Sequence, residues 1–324
     1  MTFKQNWEKT NEHHELPSGV VKAMVELAYP NKRLSTHSVI SGGCANLNIK
    51  FNLEGDELPL ILRIYLHDKT AAYREQKIGA LLKQTVPAPQ TYYVGDYKEY
   101  RFAITGFMPG ITLRDLLLGD LPHDIGDIMY EVGRLLAKIT THRFSQVGFF
   151  DKNLQVTQGF CDESIKEFSL TCSQHPQVQQ YLSIETIASI ERLFKVLPDY
   201  PNTEATLVHA DFDPANILVG QISGAWRVTG ILDWEFAYAG SWLDDVATML
   251  RYAHKMPPIF EEAFIKGLRD QGKVLPEYWR LIVPQYNLGA LLDSMTRHPL
   301  HIRPNIREDI CALIEDIIND LEAR

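Results

Sequence analysis

The stretch His209-Ala210-Asp211-Phe212-Asp213-Pro214-Ala215-Asn216, followed by Gly230-Ile231-Leu232-Asp233-Trp234-Glu235, carries the residue types and spacing of a phosphoryl-transfer centre. Transfer to a hydroxyl needs a carboxylate that orients the attacking oxygen and two oxygen ligands that hold magnesium on the nucleotide phosphates. Asp211 fits the first part, and Asn216 and Asp233 fit the second. The interval from Asp211 to Asn216 lets a loop leave one strand, present its carboxylate to the acceptor and return its amide to the nucleotide side. Position matters more than basicity at Asp211, because in a loose transition state the proton departs late. His209 reads as a structural imidazole bonded to backbone. Taken singly, Asp211, Asp213 and Asn216 are equally the residues of a capped turn; it is the set, with apolar strands on either side, that carries the reading.

These residues must be positioned by a scaffold, and 324 residues exceed a usual single core, so two lobes are expected. From Ser38 to Phe107 the pattern is strand-rich. Segments 38–40, 46–53 and 58–66 alternate apolar with polar residues around a turn at Gly55-Asp56. A helix with Ala72, Glu75, Ile78, Gly79 and Leu82 at helical spacing ends before Val86-Pro87-Ala88-Pro89, and a strand pair follows over 91–105 around Gly95-Asp96. After Met108-Pro109-Gly110 the chain is mostly helical. Ile125, Met129, Val132, Leu135, Leu136 and Ile139 form one face, strand-like pieces return at 206–208, 217–219 and 226–232, and about four helices run from Leu243 to the end. The fold class is α+β: a strand-rich lobe of residues 1–107 hinged to a helical lobe of residues 108–324.

With these residues in view the chain resembles the aminoglycoside phosphotransferase and choline kinase family, small-molecule kinases with a protein-kinase-like two-lobe fold. The likeness runs from about Leu34 to the last helices and is strongest over 207–250, where a His-Gly-Asp-x-x-x-x-Asn loop precedes a strand ending Asp-Trp-Glu. Ala210 replaces the usual glycine here. The resemblance implies that Arg63 stands where many relatives place the lysine that pairs with nucleotide phosphates, and that Glu75 is its helix partner. It implies that Ser41-Gly42-Gly43-Cys44-Ala45-Asn46 is the phosphate-covering turn, with Gly42 and Gly43 permitting close backbone approach, although an ordinary hairpin turn looks the same. It also implies a hinge at Thr105-Gly106-Phe107-Met108, where the Gly106 carbonyl and Met108 amide meet adenine; Phe107 and Met108 read equally as interlobe core. Asp245 takes the place of a helix-start aspartate suited to capping amides and bracing the catalytic loop. Ser241-Trp242 replaces a usual Asp-Pro.

The implied function is a magnesium-dependent kinase that uses ATP (or GTP) to phosphorylate a hydroxyl of a small molecule: an amino sugar, amino alcohol or sugar-like compound. Glu235, Asp213, Asp244, Trp242 and Tyr238 are candidate acceptor residues, suited to a cation by charge and cation–π attraction, or else caps and core aromatics. The alternative is a catalytically weak nucleotide-binding pseudokinase serving as an interaction module. A protein kinase is disfavoured because no Asp-Phe-Gly and Ala-Pro-Glu pair frames the segment after Asp233. A net charge of −9 argues against a nucleic-acid surface. Cys44, Cys161, Cys172 and Cys311 lack zinc or disulfide spacing, and with neither a signal-peptide profile nor a membrane-length apolar run a cytoplasmic location is expected.

Overall fold

Strict alternation in Leu47-Asn48-Ile49-Lys50-Phe51-Asn52-Leu53 puts four apolar side chains on one face, and all four are buried in strand β2 (Leu47–Leu53). The computed structural model describes residues 3–8, 16–17, 19–40, 46–157, 164–198 and 204–324. β2 lies in an antiparallel sheet with β1 (Leu34–Ile40), β3 (Leu60–Tyr65), β4 (Thr91–Tyr97) and β5 (Tyr100–Gly106), in the order β1-β2-β3-β5-β4. Helix α1 (Val20–Ala28) closes the apolar face with Val20, Met24 and Val25. Leu62 and Ile64 of β3 join that core, so by the period-2 rule Arg63 and Tyr65 face the other way. There Tyr65 meets Ala71 and Ala72 of helix α2 (Ala71–Leu82).

One expected turn moves. Gly95 and Asp96 lie inside β4, opposite Phe102 and Arg101, and the reversal falls at Lys98-Glu99, with Lys98 at φ 53°. Arg101 bonds both oxygens of Asp96, which gives that aspartate a cross-strand role in place of a turn role.

The larger lobe begins with β6 (Ile111–Thr112), α3 (Leu113–Leu118), α4 (Ile125–Ile139) and β7 (Gly148–Phe149). Asp124 starts α4 by accepting the amides of Gly126 and Asp127 at 2.9 and 3.2 Å. Next come α5 (Ile165–Ser173), α6 (Pro176–Tyr181), α7 (Ile184–Val196), β8 (Thr206–Val208), β9 (Ile217–Ile222), β10 (Ala225–Ile231) and β11 (Tyr238–Gly240). Helices α8 (Leu243–Leu250), α9 (Ile259–Asp270), α10 (Trp279–Arg297) and α11 (Pro304–Glu322) follow, with breaks where Pro257-Pro258, Gly272 and Pro304 predict them. Two small sheets, β10-β9-β6 and β7-β11-β8, frame the chemistry. The loop 209–216 joins β8 to β9, and the loop 232–237 joins β10 to β11. Among the described residues no helix is long and apolar enough to cross a membrane, and Cys172 and Cys311 form no disulfide. Cys44 and Cys161 lie outside the described residues.

Ile78 and Leu82 of α2, with Val86 and Ala88, pack into the same core as α4, β9, β10 and α8, so apolar contact as well as the hinge joins the lobes. Within that core α4 and α9 cross at glycines. A Cβ on Gly133 would strike the carbonyl oxygen of Phe264, and one on Gly267 would strike that of Tyr130. Helix backbone cannot yield as a flexible side chain does. Gly133→Ala is therefore expected to lower stability by about 1–3 kcal/mol, the usual cost of overpacking, read as a lower urea midpoint at unchanged slope.

Candidate active site

The loop after β8 is fixed by groups that spend their hydrogen bonds on its backbone. Asp245, in the first turn of α8, accepts the amides of His209 and Ala210 at 2.9 Å each. Its carboxylate braces the loop, and Trp242, at the start of α8, offers no side-chain cap. His209, fully buried, contacts the Leu232 carbonyl through Nε2 at 2.8 Å and accepts the Asp211 amide through Nδ1 at 3.2 Å. That pairing assigns the proton to Nε2, and burial lowers the imidazole pKa, so the ring is neutral. The brace bends the chain enough to hold Ala210 at φ 68°, a left-handed conformation costing an alanine on the order of 1 kcal/mol.

At the far end of the loop, Asn216 Nδ2 donates to the Asp211 carbonyl at 2.9 Å and to Asp211 Oδ2 at 2.8 Å. The Leu232 amide donates to the Asn216 carbonyl at 2.8 Å. Leu232 thus ties Asn216 to the loop that carries Asp233, itself at φ 68°. Asp211 and Asn216 of one loop and Asp233 of the next are thus brought to one place.

Arg63 reaches this place from β3. Its guanidinium lies 3.3 Å from Glu75 Oε2 and 3.5 Å from Glu235 Oε1, and it bonds Asp233 Oδ1 directly. Tyr65 donates to the same Glu75 oxygen. Asn46, the one described residue of the glycine turn, donates to Glu235 Oε2 at 2.9 Å. Gly42 and Gly43 lie outside the described residues. Glu75, Asp233 and Glu235 outnumber Arg63, and Glu235 is pushed up to about 8 by burial and by the nearby Asp233 charge. A cluster of acids whose ionisation is held back by burial and like charge suits a divalent cation, whose charge would favour the ionised forms. Among the described residues no three His, Cys, Asp or Glu side chains are grouped to hold a metal unaided. Asn216 and Asp233 offer the one or two oxygen ligands that magnesium takes when phosphates supply others.

The hinge residues approach from the sheet side. The Gly106 amide donates to the Gln90 carbonyl at 3.0 Å, and Met108 packs against Gly230, three positions before Asp233. For two candidate acceptor residues the core-aromatic reading holds. Trp242 is a core side chain packed with α4 and α8, and Tyr238 is buried with its hydroxyl on Asp244 Oδ2 at 3.0 Å. Burial pushes Asp244 up to about 6. Phe236, which the sequence did not single out, is 44% exposed beside Arg297.

Nothing in the sequence pointed to Lys4. Its ammonium bonds Asp211 Oδ1 at 2.6 Å and pairs with Asp213. Although burial opposes its charge, Asp211 and Asp213 hold it well above the ordinary lysine range. Burial likewise opposes ionisation of Asp211, yet Lys4 brings it down to about 2. Nearby, His298 stands edge-on to Trp7, and Arg303 approaches its Nδ1 at 3.0 Å. Burial, Arg303, Arg297 and Lys4 push His298 down to about 4 from 6.5, with Asp211 opposing. The unfolded chain therefore takes up this proton first. Stability should fall as pH drops from 6.5 towards 4 and the His298 contribution should level off below that. In thermal melts across this range, His298→Asn should flatten part of the slope, His209 carrying the same sign.

The APH family model, a phosphotransferase enzyme family, matches residues 36–281. No curated protein matches by sequence. Among solved structures, a thermostable mutant of aminoglycoside phosphotransferase APH(4)-Ia in ternary complex with AMP-PNP and hygromycin B is 19% identical with a TM-score of 0.68, covering 94% of this chain and 99% of that one. Macrolide 2'-phosphotransferase MphH from Brachybacterium faecium, as apoenzyme, is 16% identical with a TM-score of 0.60 over 90% of this chain and 98% of that one. Spectinomycin phosphotransferase APH(9)-Ia, bound to ADP and spectinomycin, is 12% identical with a TM-score of 0.59 over 96% and 99%. The antiparallel sheet, the helical lobe and the loop between them are thus those of a known architecture, and with three quarters of its length matched this chain belongs to the APH phosphotransferase enzyme family.

Proposed function

We propose that this protein transfers the γ-phosphoryl group of magnesium-bound ATP (or GTP) to a hydroxyl of a small molecule, with the strand-rich lobe of residues 1–107 handling the nucleotide, apart from segment 3–8, which packs on the helical lobe, and residues 108–324 the acceptor. The observation that carries the reading is the hydrogen-bonded unit of Asp211, Asn216 and the Asp233 loop. In it the acceptor-orienting carboxylate and the two oxygen ligands keep fixed relative positions before any ligand arrives. Asp211 orients the acceptor hydroxyl. With Lys4 holding its pKa near 2, it is ionised throughout the neutral range and serves by alignment more than by basicity. Asn216 and Asp233 hold magnesium, which when bound neutralises the charge on the phosphates. Arg63, positioned by Glu75, faces the phosphates beside Asp233, with Gly42 and Gly43 in the covering turn. The backbone at Gly106 and Met108 takes the adenine edge. Relatives bound to AMP-PNP or ADP support an adenine nucleotide as donor, and dependence on that donor suits a cytoplasmic site of action.

Asp211→Asn should keep nucleotide affinity and lose about 10²–10⁴ in transfer rate. Asn216→Ala and Asp233→Ala should instead raise the magnesium concentration needed for half-maximal rate. A metabolite-extract assay with labelled ATP, read by mass analysis of new phosphorylated species, checks both. Unchanged transfer by Asp211→Asn would refute the assigned role.

A further inference from the structure

The carboxylates on the acceptor side of the catalytic loop already have a cation. Segment 3–8 lies across the helical lobe and is held at three points. Phe3, 2% exposed, sits in the core of α10 and α11 with its ring 4.9 Å from that of Tyr252. Trp7 Nε1 donates to Asp309 Oδ2 at 2.8 Å. Glu8 accepts the amides of Asn305 and Ile306, in the first turn of α11, at 2.8 and 3.1 Å. Between these anchors Lys4, at φ 62°, is aimed inward, with its side chain 13% exposed and its ammonium shared by Asp211 and Asp213. A lysine is taken this far out of water only where carboxylates replace its hydration, and two of them do so here.

The surrounding carboxylates are committed as well. Asp293 pairs with Arg297 at 2.6 Å, and Asp244 accepts the Tyr238 hydroxyl. Arg251 lies close enough to lower the pKa of both Asp211 and Asp244. An incoming ammonium would meet Lys4, Arg297 and Arg303 instead of open acid. A neutral hydroxyl meets no such repulsion, and a carboxylate oxygen that holds one ammonium proton still has a lone pair for it.

Building on the reading that Asp211 faces the acceptor, we propose that Lys4 is the resident cation of the acceptor site. It selects a neutral polyhydroxyl compound, a sugar or polyol with no ammonium beside the reacting hydroxyl. Asp213 positions Lys4, and the anchors Phe3, Trp7 and Glu8 keep it seated.

The test is a binding measurement on the full chain in the presence of magnesium and ADP. Hygromycin B and choline are titrated by calorimetry into the wild type and into Lys4→Met, Lys4→Arg and Phe3→Ala. The wild type and Lys4→Arg should bind neither amine, whereas Lys4→Met should gain at least tenfold in affinity, falling with added salt as a charge contact does. Phe3→Ala, which loosens an anchor and leaves the lysine in the chain, should fall between them, and it decides the matter if Lys4→Met does not melt cooperatively. Wild-type binding of amines as tight as that of Lys4→Met overturns the proposal, as does a folded Lys4→Met that gains none. Neither readout needs turnover, so failure of the kinase reading would show separately, as wild-type protein that binds nucleotide and transfers nothing.

Discussion

A guanidinium enclosed by Glu75, Asp233 and Glu235 is expensive to bury and more expensive to leave unmatched, and much of the site depends on that constraint. Arg63 comes from the sheet, Glu75 from α2, and the other two carboxylates from the loop after β10. If the lobes part, Asp233 and Glu235 lose the counter-charge that Arg63 supplies, while Glu75 keeps it. If they approach further, the acids meet one another. The network therefore specifies an interlobe spacing, with the apolar packing of Ile78 and Leu82 supplying cohesion that has no such directional preference. Asn46 extends this control to the mouth of the glycine turn through its bond to Glu235, so that the segments bearing the proposed nucleotide contacts share one electrostatic arrangement.

The loop beneath it is built on a different principle. Its amides are taken by Asp245, its imidazole by Leu232, and its asparagine by Asp211. These bonds form a closed circuit in a buried setting, where an unmade bond is penalised more heavily than a made bond is rewarded. That asymmetry explains how Ala210 and Asp233 both remain at positive φ. Each backbone strain is small beside the penalty of orphaning a buried amide or carboxylate.

What the sequence disclosed follows the range over which physics acts. Alternation in β2 and the apolar stripe of α4 are local consequences of one buried face, and both elements emerge as expected. Asp211, Asn216 and Asp233 were legible because loop chemistry fixes the residue types at short spacing. The turn at Gly95 was misplaced since glycine permits a reversal without requiring one, and the pairing of Asp96 with Arg101 settles the register. Trp242 reads in the sequence as either a cleft or a core residue, because an aromatic next to acids has no feature that tells a ligand face from a core face; in the fold it belongs to the apolar core that also holds α4 and α8. Lys4 was out of reach altogether, since its partner is 207 positions away and its neighbours carry no pattern pointing there.

Lys4 also shows why net charge was a poor guide to the acceptor. A total of −9 is a sum over a surface whose contributions are screened within about 10 Å. The potential felt by an acceptor is set by the few groups inside that radius, where Lys4, Arg251, Arg297 and Arg303 face Asp211, Asp213, Asp244 and Asp293. There four cations face four acids, and burial, which pushes Asp244 up to about 6, works against a surplus of acid. An excess of acid over the whole molecule and a near-neutral charge balance around Asp211 are therefore compatible, and on the proposed reading the second would govern which hydroxyl compound can approach it.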